Sequence, residues 1–250
     1  MAVTKRLLEA IASEERAVLF TVIEGDGLGA HMLVLESGER VGDGIPESLA
    51  EQAGELIRGH RNLILEHGDQ RVFAEIYAPP PRLLVYGAVD TAQAMCAAAK
   101  LLGWEAIVAD ARAKFATRER IPSADRIVVA WPEETLQQVQ PDHATAIVVL
   151  THDDKFDVPM LKAALETEAF YIGALGSRRN QERRRERLLD AGVDEADFER
   201  IHGPCGLDIG AESQPETALS ILAEIIAVRH AREGGLLNRA KQRIHAEVAD

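Results

Sequence analysis

The run Arg82–Ala92, RLLVYGAVDTA, limits the fold of this chain more than any other stretch. Leu83, Leu84, Val85 and Tyr86 form a short apolar block of the kind a fully buried parallel strand needs. Gly87 follows at once, and Thr91–Lys100 is then a stretch of strong helix formers. Strand, tight glycine turn and helix open a dinucleotide-binding unit. Its first glycine makes the turn, its second admits a pyrophosphate against the backbone, and its third lets the helix pack on the strand. Those positions read Gly87, Val89 and Ala92. The first suits and the third is an allowed variant, but the β-branched Val89 puts bulk where phosphate oxygens would sit. The run therefore predicts a doubly wound α/β sheet and argues against NAD(P) as cofactor. A plain βα turn accounts for it about as well as nucleotide binding does.

Just before this run, Pro79-Pro80-Pro81 reads as a stiff, extended connector. It predicts a small α+β domain over residues 1–80 and a parallel α/β domain over 81–250. The first is expected to hold a helix at Thr4–Glu15, strands at Ala17–Ile23, His31–Leu35, Leu63–Leu65 and Arg71–Tyr77, and a helix at Ile45–Leu56. The second is expected to continue with strands at Glu105–Asp110, Arg126–Ala130, Thr145–Leu150 and Ala169–Leu175. Its helices are expected at Val158–Leu165, from Ser177 to Leu189, and at Pro215–Arg232 with Leu219, Leu222, Ile225 and Ile226 facing the core. Glu233–Asp250 reads as a loose or peripheral helix.

Ligands of open α/β sheets bind at the carboxyl ends of the strands, and four polar stretches fall there. Asp110 closes a strand near the spacing of about 20 residues at which a ribose-binding carboxylate follows the glycine turn. Thr151, His152 and Asp153 end the strand before them, although Thr151 or Asp153 could simply cap the next helix. Gly176 and Ser177 then lead Arg178 and Arg179 into a helix's first turn, where the dipole disfavours cations. An anion such as a phosphate would reverse that penalty, and so would ion pairs to Asp208 or Glu212. The rest of the run, Arg183, Arg184, Arg185 and Arg187, reads as a solvated face. Finally, His202–Glu212 is glycine-rich without periodicity, which marks a loop shaped around something and adds Gly206, Asp208, Gly210 and Glu212 to Gly87 as candidate binding residues. Cys205 within it is expected to pack as a small hydrophobe.

Charge and cysteine content narrow the partners. With 41 acidic and 28 basic side chains the chain carries a formal −13, which repels nucleic acid and anionic membrane. Two cysteines, neither in a CxxC spacing, exclude a disulfide framework and predict no metal site. No apolar run reaches about 18 residues and the N-terminus has no signal-peptide pattern, so a cytoplasmic protein is expected.

Thr151–Asp157, Tyr171-Ile-Gly-Ala-Leu-Gly-Ser-Arg-Arg179, Gly203-Pro-Cys-Gly-Leu-Asp-Ile-Gly-Ala-Glu212 and the opening at Leu83–Ala92 resemble the C-terminal domain of the XdhC/CoxI family, accessory proteins of xanthine dehydrogenase and related molybdenum hydroxylases. Gly29–Leu35 is similar to that family's N-terminal domain, without the arginine and cysteine segments usual there. Gly87-Ala-Val-Asp90 also stands where the family commonly has Gly-Ala-Gly-His. The resemblance implies a Rossmann-like C-terminal parallel sheet with a small N-terminal α+β domain. It implies a cofactor chaperone with no catalytic residue, which binds molybdenum cofactor (molybdopterin) transiently and delivers it to an apo molybdenum hydroxylase. A cysteine desulfurase as further partner and a homodimer as assembly are compatible with it. The alternatives are an NAD(P)-dependent oxidoreductase and a degenerate partner-binding module without cofactor.

Overall fold

The computed structural model describes residues 2–59 and 61–240. Two compact units divide the chain, one taking in the residues up to Pro79 with the segment from Leu236, the other Pro80–Gly235.

In the first unit the order is α1 (Ala2–Ala12), β1 (Ala17–Glu24), β2 (His31–Leu35), β3 (Arg40–Gly42), α2 (Glu47–Ala50), α3 (Ala53–Gly59), β4 (Leu63–His67) and β5 (Gln70–Tyr77). The strands form one sheet, β3-β2-β1-β5-β4, antiparallel throughout. Alternation along β1 explains why both sheet faces are covered. Val18, Phe20 and Val22 pack with Leu49, Leu56 and Ile57 of the short helices, while Ala17 packs with Val3 and Ala10 of α1. Gly25 makes the turn after β1 at φ +90°, and a Cβ there would lie 2.3 Å from the Asp69 carbonyl oxygen. Two details differ from expectation. Strand β3 was not legible, and the single helix expected over Ile45–Leu56 is two, α2 and α3.

The second unit runs β6 (Arg82–Tyr86), α4 (Asp90–Leu101), β7 (Glu105–Ala109), β8 (Arg126–Val128), α5 (Pro132–Val139), β9 (Thr145–Val149), α6 (Asp154–Leu165), β10 (Tyr171–Ala174), α7 (Arg178–Asp190), α8 (Glu195–Phe198), β11 (Ile201–His202) and α9 (Gln214–Arg229). Its six strands are parallel in the order β11-β10-β9-β6-β7-β8. The chain is therefore α/β, with a parallel sheet in one unit and an antiparallel sheet in the other. Strand β6 has helix-covered layers on both sides, which is why its apolar run is continuous. Leu83 and Val85 face the layer that holds Met95, Ile221 and Ile225 of α4 and α9. Leu84 and Tyr86 face the layer of Leu136, Met160, Leu161 and Leu188. Burying each such side chain contributes about 1.5–3 kcal/mol before entropy is counted.

Sequential strands step outward in opposite directions from β6, so the order reverses between β6 and β9. This is the switch point at which doubly wound sheets open a crevice. Tyr86 pairs with both Ala109 and Val149, so Gly87, Asp110 and Leu150–Thr151 leave the sheet side by side at its carboxyl edge.

Several boundaries depart from the expected ones. Helices α5 and α8 and strand β11 were not anticipated, and α6 starts four residues early because Asp153 caps it, accepting from the Lys155 N–H at 3.2 Å. Helix α9 has a capping box of Ser213 and Glu216 with Pro215 at its second position. Leu219 is exposed there and Ile221 takes the core place. At the end of the described chain Leu237–Arg239 makes one 3-10 turn in place of the expected peripheral helix, whose residues 241–250 lie outside the described residues. No helix of the described residues is long and apolar enough to cross a membrane.

Candidate functional site

At the end of β6, Gly87 has φ +114°, and a Cβ there would lie 2.9 Å from Thr151 Cγ2 and 3.1 Å from the Thr151 nitrogen. Only glycine lets the ends of β6 and β9 run this close. Its own N–H donates to the Ala109 carbonyl at 2.8 Å. Val89 is the N-cap of α4 with no side-chain cap, and the exposed Asp90 opens the helix. Bulk at Val89 and negative charge at Asp90 therefore both stand where a pyrophosphate would meet the helix N-terminus.

Asp110 is 1% exposed, and its carboxylate is fully engaged. Oδ1 accepts from the Arg112 backbone N–H (2.9 Å) and Nε–H (2.9 Å), and Oδ2 from the Ala88 N–H (3.0 Å) and Arg112 Nη2 (2.8 Å). A carboxylate has about four acceptor sites, so none is left for a ribose diol. Burial alone would raise Asp110, but the hydrogen bonds from Arg112 and Ala88 outweigh it and hold the carboxyl below its ordinary range. The ribose-binding role expected of Asp110 is thereby replaced by a structural one, the clamping of Arg112. That guanidinium lies 4.5 Å from the centroid of Phe115 and 5.5 Å from that of Phe156. Beside it opens a cleft of about 240 Å³ lined by Ala88, Val89, Asp90, Arg112, Phe115 and Arg120.

The end of β9 is braced from beneath. Thr151 is buried and donates its hydroxyl to Asp157 Oδ1. Asp157 is also buried and faces Arg184 Nη2 at 3.5 Å. Arg184 further donates from Nη2 to the Leu175 carbonyl (2.9 Å) and from Nη1 to Gln181 Oε1 (2.6 Å). Burial pushes Asp157 up, and Thr151 and Arg184 offset only part of this. Arg184 is thus no member of a solvated face, whereas Arg185 pairs with Glu195 and Arg187 with Asp154 at the surface. Thr151 supports the edge and does not line it. His152, Asp154, Asp157, Asn180 and Arg183 are among the residues around a small polar cleft of about 50 Å³. Asp153 is exposed and serves as the α6 cap.

Next along the edge, Gly176 leads into Ser177, the N-cap of α7, whose hydroxyl accepts from the Asn180 N–H at 3.2 Å. Arg178 and Arg179 are exposed. Neither has a hydrogen-bond or ion-pair partner among the described residues, so the pairing with Asp208 or Glu212 is not formed.

The glycine-rich loop begins where the Cys205 N–H donates to Ala174 (3.1 Å) at the end of β10. It finishes where Thr91 of α4 donates to Gln214. It therefore travels along the carboxyl edge. Gly206 does not present its N–H outward but donates it to Glu224 Oε2 at 2.7 Å. The same carboxylate accepts from the Tyr171 hydroxyl and contacts His202 Nδ1 at 3.3 Å. The Tyr171 ring lies over Gly173, where a Cβ would be 2.6 Å from a ring carbon, and stacks on His202 at 4.6 Å. Burial raises Glu224, but His202, Tyr171 and Gly206 reverse this, and the carboxyl sits below its ordinary range. Asp208, Gly210 and Glu212 are exposed further along the loop.

Cys205 is buried, and burial reinforced by the Glu224 charge pushes its thiol up to about 12. Cys96, in the core against α9, is also pushed up to about 12, chiefly by burial. Thiolate is the reactive form, so a thiol reagent at pH 7–8 is expected to label neither cysteine in the native protein and both after unfolding. Stoichiometric labelling of Cys205 before unfolding, read by mass spectrometry, would contradict this.

The edge thus gathers Gly87, Asp110, Thr151, His152, Asp153, Gly176, Ser177, Arg178 and Arg179 from successive strand ends, with the loop of Gly206–Glu212 along it. Arg112, Phe115 and Arg120 were not singled out in the sequence, nor were Asp157, Arg184 and Glu224. Asp157 had a local signal, as the last residue of the Thr151–Asp157 motif.

Over residues 83–225 the sequence matches the XdhC Rossmann domain. It is 35% identical over 169 residues to a probable subunit of xanthine dehydrogenase from Bacillus subtilis (strain 168), covering 67% of this chain and 49% of that protein. It is 31% identical over 162 residues to the molybdenum cofactor insertion chaperone PaoD of Escherichia coli (strain K12), covering 64% of this chain and 44% of that one. The crystal structure of a xanthine dehydrogenase from Bacillus halodurans superposes with a TM-score of 0.70 at 26% identity, over 92% of this chain and 67% of that chain. This chain spans just under half the length of both curated relatives.

Proposed function

Because the chain belongs to the XdhC Rossmann-domain family, we propose that it is an accessory protein that binds molybdenum cofactor transiently and assists its insertion into an apo molybdenum hydroxylase of the xanthine dehydrogenase type. The names of two relatives support this reading, one a probable part of xanthine dehydrogenase and the other a molybdenum cofactor insertion chaperone. The observation that carries it is the pair Arg178 and Arg179, exposed in the first turn of α7 with no acid to offset the helix dipole. Molybdopterin carries a phosphate, an anionic dithiolene and polar pterin edges. Ser177, Arg178 and Arg179 suit an anion, and His152, Asp153 and the loop Gly206–Glu212 suit hydrogen bonding to a heterocycle. Gly87, Thr151, Asp110 and Gly206 shape this edge from beneath. The reading places no persulfide on this chain, since Cys96 and Cys205 are both buried.

NAD(P)-dependent oxidation is the weaker alternative, because Val89, Asp90 and the saturated Asp110 all oppose a dinucleotide. The test is delivery. A tagged apo-hydroxylase of the xanthine dehydrogenase type is co-expressed with and without this protein, and molybdenum per client is measured by elemental analysis. A several-fold rise with the protein is expected. Equal molybdenum content in both preparations would defeat the proposal.

A further inference from the structure

We propose that the cleft between the β6–α4 turn and the segment after β7 binds a phosphomonoester carried on a planar heterocycle, its phosphate held between Arg112 and Arg120. The pterin form of this inference rests on the function proposed above, with the cofactor's one phosphate in this cleft and Arg178 and Arg179 left to its anionic dithiolene end. Its phosphomonoester form does not.

Three properties of the cleft point this way. The first is the inversion of charge at its rim. A ribose site needs a free carboxylate, but Asp110 is saturated and presents Arg112 in its place. Two donors of that guanidinium, Nε and Nη2, are bound to Asp110, and Nη1 has no hydrogen bond among the described residues. Arg112 is held by a buried acid and by the faces of Phe115 and Phe156, so little ordering is lost when it meets an anion.

The second is the gathering of cations. Arg112, Lys114 and Arg120 lie 4.5, 4.8 and 5.2 Å from the centroid of Phe115, in a chain whose formal net charge is −13. Arg120 has one acidic neighbour, Asp90, at 3.6 Å, and both side chains are exposed. Such pairs contribute little and are readily exchanged for a dianion.

The third is shape. Ala88, Val89 and Phe115 supply the apolar part of the lining, and the volume of about 240 Å³ suits one phosphorylated ring system better than a dinucleotide. Val89, the N-cap of α4, is part of that lining, and its bulk there favours a terminal phosphate over a diphosphate.

The full chain is titrated calorimetrically with two probe pairs. One is the phosphorylated oxidation product of molybdopterin and its dephosphorylated counterpart, the other adenosine 2′-monophosphate and adenosine. Arg120→Gln and Asp90→Asn are the variants, both at exposed positions, with thermal unfolding as the folding control. At least one phosphorylated probe is expected to bind about tenfold or more tightly than its unphosphorylated partner. Arg120→Gln is expected to abolish that preference, and Asp90→Asn to strengthen it about two- to fivefold by freeing Arg120. No phosphate preference with either pair, or a preference that survives Arg120→Gln, overturns the inference. If pterin binding fails in Arg178→Gln/Arg179→Gln but survives Arg120→Gln, and the nucleotide shows no Arg120-dependent preference, the cleft assignment falls and the proposed function stands. If neither pterin probe binds while the nucleotide shows an Arg120-dependent preference, the cleft stands and the cofactor function falls.

Discussion

Arg184→Ala is expected to destabilise the protein by about 3–5 kcal/mol at pH 7, the cost of stranding one partner of a buried ion pair. Arg184 is 6% exposed, although it sits in a run of charged residues on α7. Its guanidinium ties three elements together, reaching Asp157 on α6, Gln181 on α7 and the Leu175 carbonyl beyond β10. Truncation leaves the buried Asp157 with the Thr151 hydroxyl and the nearby His152 but no guanidinium, and leaves the Leu175 carbonyl without this donor. Asp157 already lies above its ordinary range, and loss of Arg184 raises it further. The sign of the pH effect follows. A carboxyl whose folded value exceeds its unfolded one costs stability once pH is above the unfolded value, and the cost fades as pH falls towards it. The deficit of Arg184→Ala is therefore expected to shrink as pH is lowered from 7 towards the ordinary carboxylate range, and Arg184→Ala/Asp157→Asn is expected to be more stable at pH 7 than Arg184→Ala alone. Urea denaturation of the three proteins checks this. A loss below about 1 kcal/mol, the level of a surface pair, would mean that Arg184 does not brace the edge.

Arg184 also illustrates what could be read from the sequence and what could not. Leu83–Tyr86 was legible as a central strand because helices cover both sheet faces and every position is apolar. Strand β11 was not, since two residues, Ile201 and His202, carry no period. Helix α5 lacks a side-chain cap, as Trp131 holds that place, and only Leu136 and Val139 mark its apolar side apart from Pro132 and Thr135. Within the arginine run of α7, spacing alone could not tell which residue turns inward. Arg178 and Arg179 were legible because their conflict with the helix dipole is local. The role of Arg112 was not, because it depends on Asp110 being closed off by Ala88, 22 residues earlier. Glu224 looks in sequence like any surface acid of a helix, and only the approach of Tyr171, His202 and Gly206 gives it a place in the site.

The central claim concerns cargo, and the pterin retained by the purified protein tests it most directly. Two unpaired cations in the first turn of α7 cost about 0.3–1 kcal/mol each against the dipole, and a bound anion would convert that penalty into charge-assisted contacts. Arg178→Gln/Arg179→Gln removes the repulsion as well as the contacts, so thermal stability is expected to stay level or rise slightly. The protein and this variant are purified from cells that make molybdenum cofactor, oxidised, and read for the fluorescent pterin derivative. The account predicts pterin in the wild-type protein and a loss of about tenfold or more in the variant. Wild-type protein without pterin, or a variant that keeps its pterin while losing stability, would contradict it.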